Sequence, residues 1–374
     1  MTTAGRLRAL RTSLAGVDLR ALVTALAIGA VGGALFAHWQ LPLPWMIGAL
    51  VATTAAAIGD GLLRPHSARA ALRVPAGLRQ AMLVVIGIML GAAFDPAAAG
   101  TLQAWAASLL GLALYVPLSL LVGYLYLRRT VGFDPVTAYF TAAPGGLVEM
   151  TTVGAAAGGD ERRISLAHSI RIMAVVMTLP FWLQMAWGYE PALRASLDSA
   201  RPALSALDAL LLAACVLGVP VARRLRLPAA QLTGPMLLSA LIHVAGLTAG
   251  APPAGLVALA QVIIGSAIGA RFAGVRPSFV LRIAAAALGL TALLCAVAVP
   301  FVVGLARLTG LDPLILLLAY APGGVAEMSL VALAMDVDPS FVATHHVVRI
   351  GLVVLFVPLA FRLVRQRSDA TGAG

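Results

Sequence analysis

Ala143-Pro144-Gly145-Gly146-Leu147-Val148-Glu149-Met150 returns 178 residues later as Ala321-Pro322-Gly323-Gly324-Val325-Ala326-Glu327-Met328. Each copy sits inside a long apolar stretch. In each, an arginine follows 22 residues after the glutamate (Arg171, Arg349), a histidine stands three before it (His168, His346), and Pro180 or Pro358 comes nine after it. Proline removes an amide donor and clashes with the preceding turn. Paired glycines permit a reversal. The phrase therefore marks a break in each apolar stretch, and its doubling points to a site built by two halves.

Composition places these breaks in a membrane protein. Of 374 residues, 61% are hydrophobic and 11% charged, which suits a polytopic all-α chain and not a soluble enzyme. Apolar blocks of a spanning length of about 20 residues fall near 21–39, 43–62, 80–94, 102–127, 135–157, 164–188, 203–222, 229–248, 256–270, 279–306, 313–335 and 341–361. No polar segment is long enough for a soluble domain. The first block follows four arginines but is too long for a signal peptide core and lacks a cleavage site, so it reads as an uncleaved first helix. Cys215 and Cys295 lie inside blocks and read as packing residues. The net charge of +11 comes from arginine alone. Spread through short loops, it signals positive-inside orientation and anionic lipid, with no nucleic acid partner.

The duplication covers the chain, giving one membrane repeat over 1–190 and a second over 200–367. At the 178-residue offset Gly87, Gly91, Asp134 and Pro135 map to Gly265, Gly269, Asp312 and Pro313. Upstream the offset is 186, pairing Leu41-Pro42 with Leu227-Pro228 and Gly48 with Gly234. Equivalent loops trade their charge. Arg64, Arg69, Arg73 and Arg79 have no counterpart near 249–255. Conversely, Arg271, Arg276 and Arg282, and also Arg223, Arg224 and Arg226, answer loops without arginine. Under the positive-inside rule the copies are inverted. Inversion needs an odd number of crossings, yet each copy has six blocks, so one block enters and leaves on the same side. The block carrying Ala-Pro-Gly-Gly is the natural one, since non-helical backbone at membrane depth is tolerated where protein or water satisfies it. Ten crossings with two re-entrant segments put 21 arginines inside and three outside; twelve crossings reduce the split to 16 and eight.

Glu149 and Glu327 are the first candidates for chemistry. A membrane-depth carboxylate costs about 2.5–3.5 kcal/mol and normally faces a cavity or partner, which suits proton or cation coupling; the alternative is an exposed structural residue at a loop mouth. Pro144, Gly145, Gly146, Pro322, Gly323 and Gly324 would expose backbone groups and half-helix ends that hold an ion or polar substrate; the alternative is a tight turn between packed helices. Arg171 and Arg349, each sharing a helix face with His168 or His346, suit anion binding or an ion pair with the glutamates; the alternative is snorkelling to the interface. No cofactor and no metal site is expected: His345-His346 is the only histidine pair. Gly87-x3-Gly91 and Gly265-x3-Gly269 read as helix-packing pads. Trp45, Trp182 and Trp187 read as interface anchors.

The Ala-Pro-Gly-Gly-x-x-Glu-Met phrase, the following His-x-x-Arg, the paired Leu-Pro block starts and the long duplication resemble the membrane AbrB family of Gram-negative bacteria. The resemblance implies an integral protein of the bacterial inner (cell) membrane. Members carry conflicting labels of ammonia monooxygenase, regulator of gene expression and transporter. More distantly, the inverted five-crossing repeat with a glycine-rich re-entrant loop is similar to glutamate and citrate symporters, a fold-level analogy. The residues themselves favour an ion-coupled secondary transporter, not an enzyme, moving a small solute for which an anion fits the arginines. An indirectly acting regulator is the runner-up. A metal oxygenase would need clustered ligands that the scattered His38, His66 and His243 do not supply. Both termini are expected to be cytoplasmic, the partners are the solute and the bilayer, and a homo-oligomer is left open.

Overall fold

A computed structural model of the chain describes residues 18–63, 72–94, 102–187 and 204–371; His66 and the arginines at 6, 8, 11, 64, 69, 194 and 201 lie outside these. Every regular element among the described residues is helical. The first copy contributes α1 (Leu19–His38), α2 (Pro44–Leu63), α3 (Ala76–Gly91), α4 (Leu102–Tyr126), α5 (Pro135–Ala142), α6 (Leu147–Ala156) and α7 (Glu161–Trp187). The second contributes α8 (Ala206–Ala214), α9 (Gly218–Arg224), α10 (Ala230–Val244), α11 (Ala254–Gly269), α12 (Pro277–Thr309), α13 (Pro313–Tyr320), α14 (Val325–Ala334) and α15 (Pro339–Thr371).

Eight helical segments among the described residues are long and apolar enough to cross a membrane, with α8 and α9 forming one of them across a short 3-10 turn. The chain is a multi-pass, all-α membrane protein. Helices α3 and α10 have 16 and 15 residues. At helical rise they reach roughly 22–24 Å, short of a hydrocarbon core of about 30 Å. Ten crossings require both of these to cross as well. The blocks at 135–157 and 313–335 are not continuous helices. Each is two short helices broken at Pro-Gly-Gly.

The chain packs as two units, each drawing on both copies. Among the described residues, one holds those up to Met82 with Ala258–Phe279, and the other those between Leu83 and Val257 and those from Val280 onward. In the first, Gly32 of α1 meets Gly48 of α2 so closely that a Cβ on either would collide with the other's carbonyl oxygen. Gly265 of α11 rests on the Met46 carbonyl, and Gly269 rests on Thr53. In the second, Gly218 meets Gly234 in the same way, while Gly87 rests on the Leu232 carbonyl and Gly91 on Met236 and Ser239. The two sets correspond through the 186- and 178-residue offsets. Each copy's third block therefore lies on the other copy's second block, through small-residue contacts that let backbones touch.

Cys215 is buried with Ile88 and Leu212, and both cysteines are free thiols. Asp208, an isolated acid in an apolar block, is explained by a capping box: Ser205 Oγ accepts from the Asp208 amide, and the Asp208 carboxylate accepts from the Ser205 amide and from Thr248 Oγ1. Trp182 is exposed, Trp45 packs half-buried on Gly33, and the Trp187 side chain lies outside what the structure describes.

Candidate functional site

Both broken blocks fold as helical hairpins in the second unit. Asp134 caps α5 by accepting from the Thr137 amide at 2.9 Å, with Pro135 as the first helical residue; Asp312 and Pro313 start α13 in the same way, with Leu314 as donor at 2.8 Å. Each helix runs eight residues and stops with a non-helical cap residue, Ala143 or Ala321, immediately before the proline. In the first hairpin Gly146, at φ +65°, takes the left-handed conformation that turns the chain into α6.

The return of the first hairpin is visible at its base. The Asp160 amide donates to Thr137 Oγ1 at 2.8 Å, the Arg163 guanidinium lies 5.5 Å from the centre of the Phe133 ring, and Gly159 packs on Val136. Entry and exit are therefore together, and the tip is residues 144–146.

Contacts along the hairpin fix directions. Toward its tip, Thr137, Phe140 and Ala143 pair with Asp160, His168 and Arg171, so α5 runs parallel to α7. Against α15 the order reverses. Phe140 packs against Phe361 with tilted rings, Tyr139 Oη donates to the Val357 carbonyl at 2.9 Å, and a Cβ on Gly145 would lie 3.5 Å from Ile350. Helices α7 and α15 are thus antiparallel. In the second hairpin Leu318 and Ala321 pair with His346 and Arg349, so α13 runs parallel to α15. The two hairpins point in opposite directions and meet at their tips: Gly145 faces Arg349 Nε, and Gly323 faces Val175 of α7. All twelve residues singled out in the sequence gather here.

The His-x-x-Arg pair of each copy answers the backbone problem that its proline creates. A helical residue at 144 would donate its amide to Phe140 O, and one at 322 to Leu318 O; proline cannot. Those carbonyls would be buried and unpaired, a cost of about 1–3 kcal/mol. Instead, His168 Nε2 donates to Phe140 O at 3.0 Å and His346 Nε2 to Leu318 O at 3.0 Å. The other ring nitrogen, Nδ1, accepts from the arginine Nη2, at 2.9 Å for Arg171 and 2.8 Å for Arg349. A nitrogen that accepts from a guanidinium carries no proton, so this geometry fixes the Nε2–H tautomer of a neutral imidazole.

The arginines then cap the broken helix ends. Arg171 Nη1 donates to Ala143 O at 2.8 Å. Arg349 donates from Nη1 to Ala321 O at 2.6 Å and Tyr320 O at 3.3 Å, and from Nη2 to Gly323 O at 2.8 Å. The carbonyls of Ala143, Tyr320 and Ala321 end α5 and α13, where the helix dipole favours a cation, and Gly323 O lies in the turn beyond. Arg171 is 2% exposed and Arg349 0%, so neither snorkels, and neither pairs with a glutamate. In both, Nε–H is buried without a partner.

Each glutamate is the third residue of its returning helix and folds back over its own cap glycine. A Cβ on Gly324 would collide with the Glu327 carboxylate; one on Gly146 would lie 3.5 Å from Glu149 Oε2. The carboxylates thus sit beside the open amides of the first turns of α6 and α14. Glu327 is 4% exposed and Glu149 half-buried. His345 diverges from His346: its Nδ1 faces Phe341 O and its Nε2 faces Ser108 Oγ, each at 2.8 Å. No group of three or more His, Cys, Asp or Glu among the described residues could hold a metal ion.

Sequence reasoning missed the residues of α4 that complete this region. Tyr115 and Ser119, both 0% exposed, lie one turn apart, and Tyr115 is within electrostatic reach of Arg349 and Arg171. At the 178-residue offset they map to Leu293 and Val297, so a search for duplicated residues passes over them. Polarity within an apolar block was the available signal.

Fold and site together define a multi-pass helical membrane protein with two opposed, broken helical hairpins. The chain belongs to the AbrB family: the family model described as "Transition state regulatory protein AbrB" matches residues 61–365. It is also similar to "Uncharacterized protein YhjN" of Bacillus subtilis (strain 168), 29% identical over 365 residues that cover 91% of this chain and 92% of the relative.

Proposed function

We propose that this AbrB-family protein is an ion-coupled secondary transporter of a small solute, lying in the bacterial cell membrane with both termini in the cytoplasm. The observation that carries the reading is the pair of opposed hairpins whose broken tips meet beside two carboxylates. Discontinuous helices with half-helix ends converging from opposite sides are the arrangement secondary transporters use to hold solutes and coupling ions. Glu149 and Glu327 are the coupling residues in this reading, and the tips line the solute path. The loop charges of the two copies support their inversion across the membrane.

Flux into proteoliposomes tests the reading. An imposed proton or sodium gradient should drive uptake of at least one solute from a broad panel, and Glu149→Gln with Glu327→Gln should abolish it. A panel in which nothing moves overturns it. Orientation has its own test. With Cys215 and Cys295 replaced, single cysteines at 159 and 337 should label from opposite sides of the membrane; labelling from the same side rejects the inversion.

The family description favours a second reading, an indirect regulator of gene expression acting through exported solute or a sensor partner. Glutamate variants that lose flux yet keep a regulatory phenotype would support it over transport.

A further inference from the structure

Around the hairpin tips the buried donors outnumber the acceptors. Arg349 commits all four Nη hydrogens, to Tyr320 O, Ala321 O, Gly323 O and His346 Nδ1, and keeps only Nε–H. Arg171 commits one hydrogen from Nη1 and one from Nη2, leaving three N–H groups open. Both Nε–H groups, the Tyr115 hydroxyl and the Ser119 hydroxyl are buried with no hydrogen-bond partner. The two hydroxyls neighbour each other but are out of bonding geometry, and Tyr115 is within electrostatic reach of both guanidiniums. Arg349 Nε faces the tip of the opposing hairpin at Gly145. Buried polar groups in native proteins are satisfied by protein, water or ligand, and these two guanidinium N–H groups and two hydroxyls can all donate to an acceptor-rich partner.

We infer that the tips and α4 form a binding site for a small organic carboxylate, held by Arg171, Arg349, Tyr115 and Ser119. The inference rests on the transporter reading and names the class of its cargo. The donors favour an anion: the two buried guanidiniums act on each other and have no ion-pair partner among the described residues, while the Glu149 and Glu327 carboxylates fold back over their own cap glycines. The flank favours an organic body over a bare inorganic ion. Tyr115 packs edge-on against Phe301 and Tyr320, at ring separations of 5.5 and 5.2 Å, and Phe301 stacks on Tyr320. This apolar wall gives a carbon skeleton contact that sulfate or phosphate cannot use.

Thermal unfolding of the full-length purified protein with benzoate, succinate, sulfate or choline chloride tests the assignment. Benzoate or succinate should raise Tm saturably, and choline chloride should not. Tyr115→Phe and Ser119→Ala leave the hairpin caps intact, so their unliganded Tm should stay close to that of the unaltered protein. Each should weaken the apparent carboxylate Kd by about tenfold, the factor expected of one hydrogen bond to a charged group. A shift with sulfate alone overturns the carboxylate class. No shift with any probe, or an undiminished shift in the Tyr115→Phe/Ser119→Ala double variant, overturns the site. Flux separates this inference from the one beneath it. Carboxylate binding without any flux would end the transporter reading and leave the site standing; flux of other solutes without carboxylate binding would do the reverse.

Discussion

The two hairpins share sequence, caps and the histidine that replaces the missing proline amide, yet they are held differently. Arg349 donates to three carbonyls of its own hairpin, while Arg171 donates to one. Glu327 is 4% exposed and lies tightly over Gly324; Glu149 is half-buried beside a left-handed Gly146. One duplicated phrase has thus produced a locked tip and a looser one. Under the proposed transporter reading, such inequality is what one static state of an alternating-access protein would display.

Removing the arginines should give the largest separation between hairpins. Arg349→Ala would leave four buried acceptors without a donor, and Arg171→Ala two. At about 1–3 kcal/mol for an orphaned buried group, partly relieved by collapse and water, Arg349→Ala should destabilise by roughly 3–5 kcal/mol and Arg171→Ala by about half that. Unfolding of the purified protein in denaturing detergent measures both. Equal losses would show that the extra carbonyl bonds of Arg349 contribute nothing.

The histidines offer a sharper test of mechanism. His346→Leu should cost about 1–3 kcal/mol by stranding Leu318 O. If that cost arises from the proline, Pro322→Ala should relieve it in the double variant by supplying the missing amide, with a coupling of about 1 kcal/mol. His168→Leu with Pro144→Ala should behave alike, with a smaller coupling because the looser hairpin can relax around the orphan carbonyl. Strictly additive losses in both cycles would mean that the histidines act only through the arginines.

These cycles also show which parts of the site were legible in the sequence. The breaks were readable because proline and glycine act through covalent geometry, which no tertiary contact alters. The gathering of Glu149, His168, Arg171 and their partners was readable because duplication marked the same residues twice. The arginine assignment was not. Anion ligand, ion pair and snorkelling all predict a polar side chain within an apolar block, and only three-dimensional placement shows that the guanidinium closes a helix end 28 residues upstream. Tyr115 and Ser119 were hidden for the opposite reason: they occur in one copy only, facing Leu293 and Val297 at the 178-residue offset, so symmetry carries no trace of them. The exchange of third blocks between copies was also out of reach, because glycine spacing announces close packing without naming the partner helix.

The smallest predicted difference lies in the glutamates and bears directly on which tip is the more accessible. A hydrophobic carbodiimide should modify Glu149 several-fold faster than Glu327, since one carboxylate is half-buried and the other nearly sealed. Gly324→Ala should narrow that gap. Its Cβ would occupy the space of the Glu327 carboxylate, and a glutamate side chain can swing out at the cost of a rotamer change, about 0.5–1.5 kcal/mol if it is forced off a minimum. Gly146→Ala should act through the backbone instead, costing about 1–2 kcal/mol for a left-handed alanine while leaving Glu149 reactivity near its starting value. Mass spectrometry of the labelled peptides reads all four rates. Were Glu327 to label as fast as Glu149 in the unaltered protein, the locked hairpin would be opening on the timescale of the reaction, and the asymmetry between the two tips would describe one member of an exchanging pair.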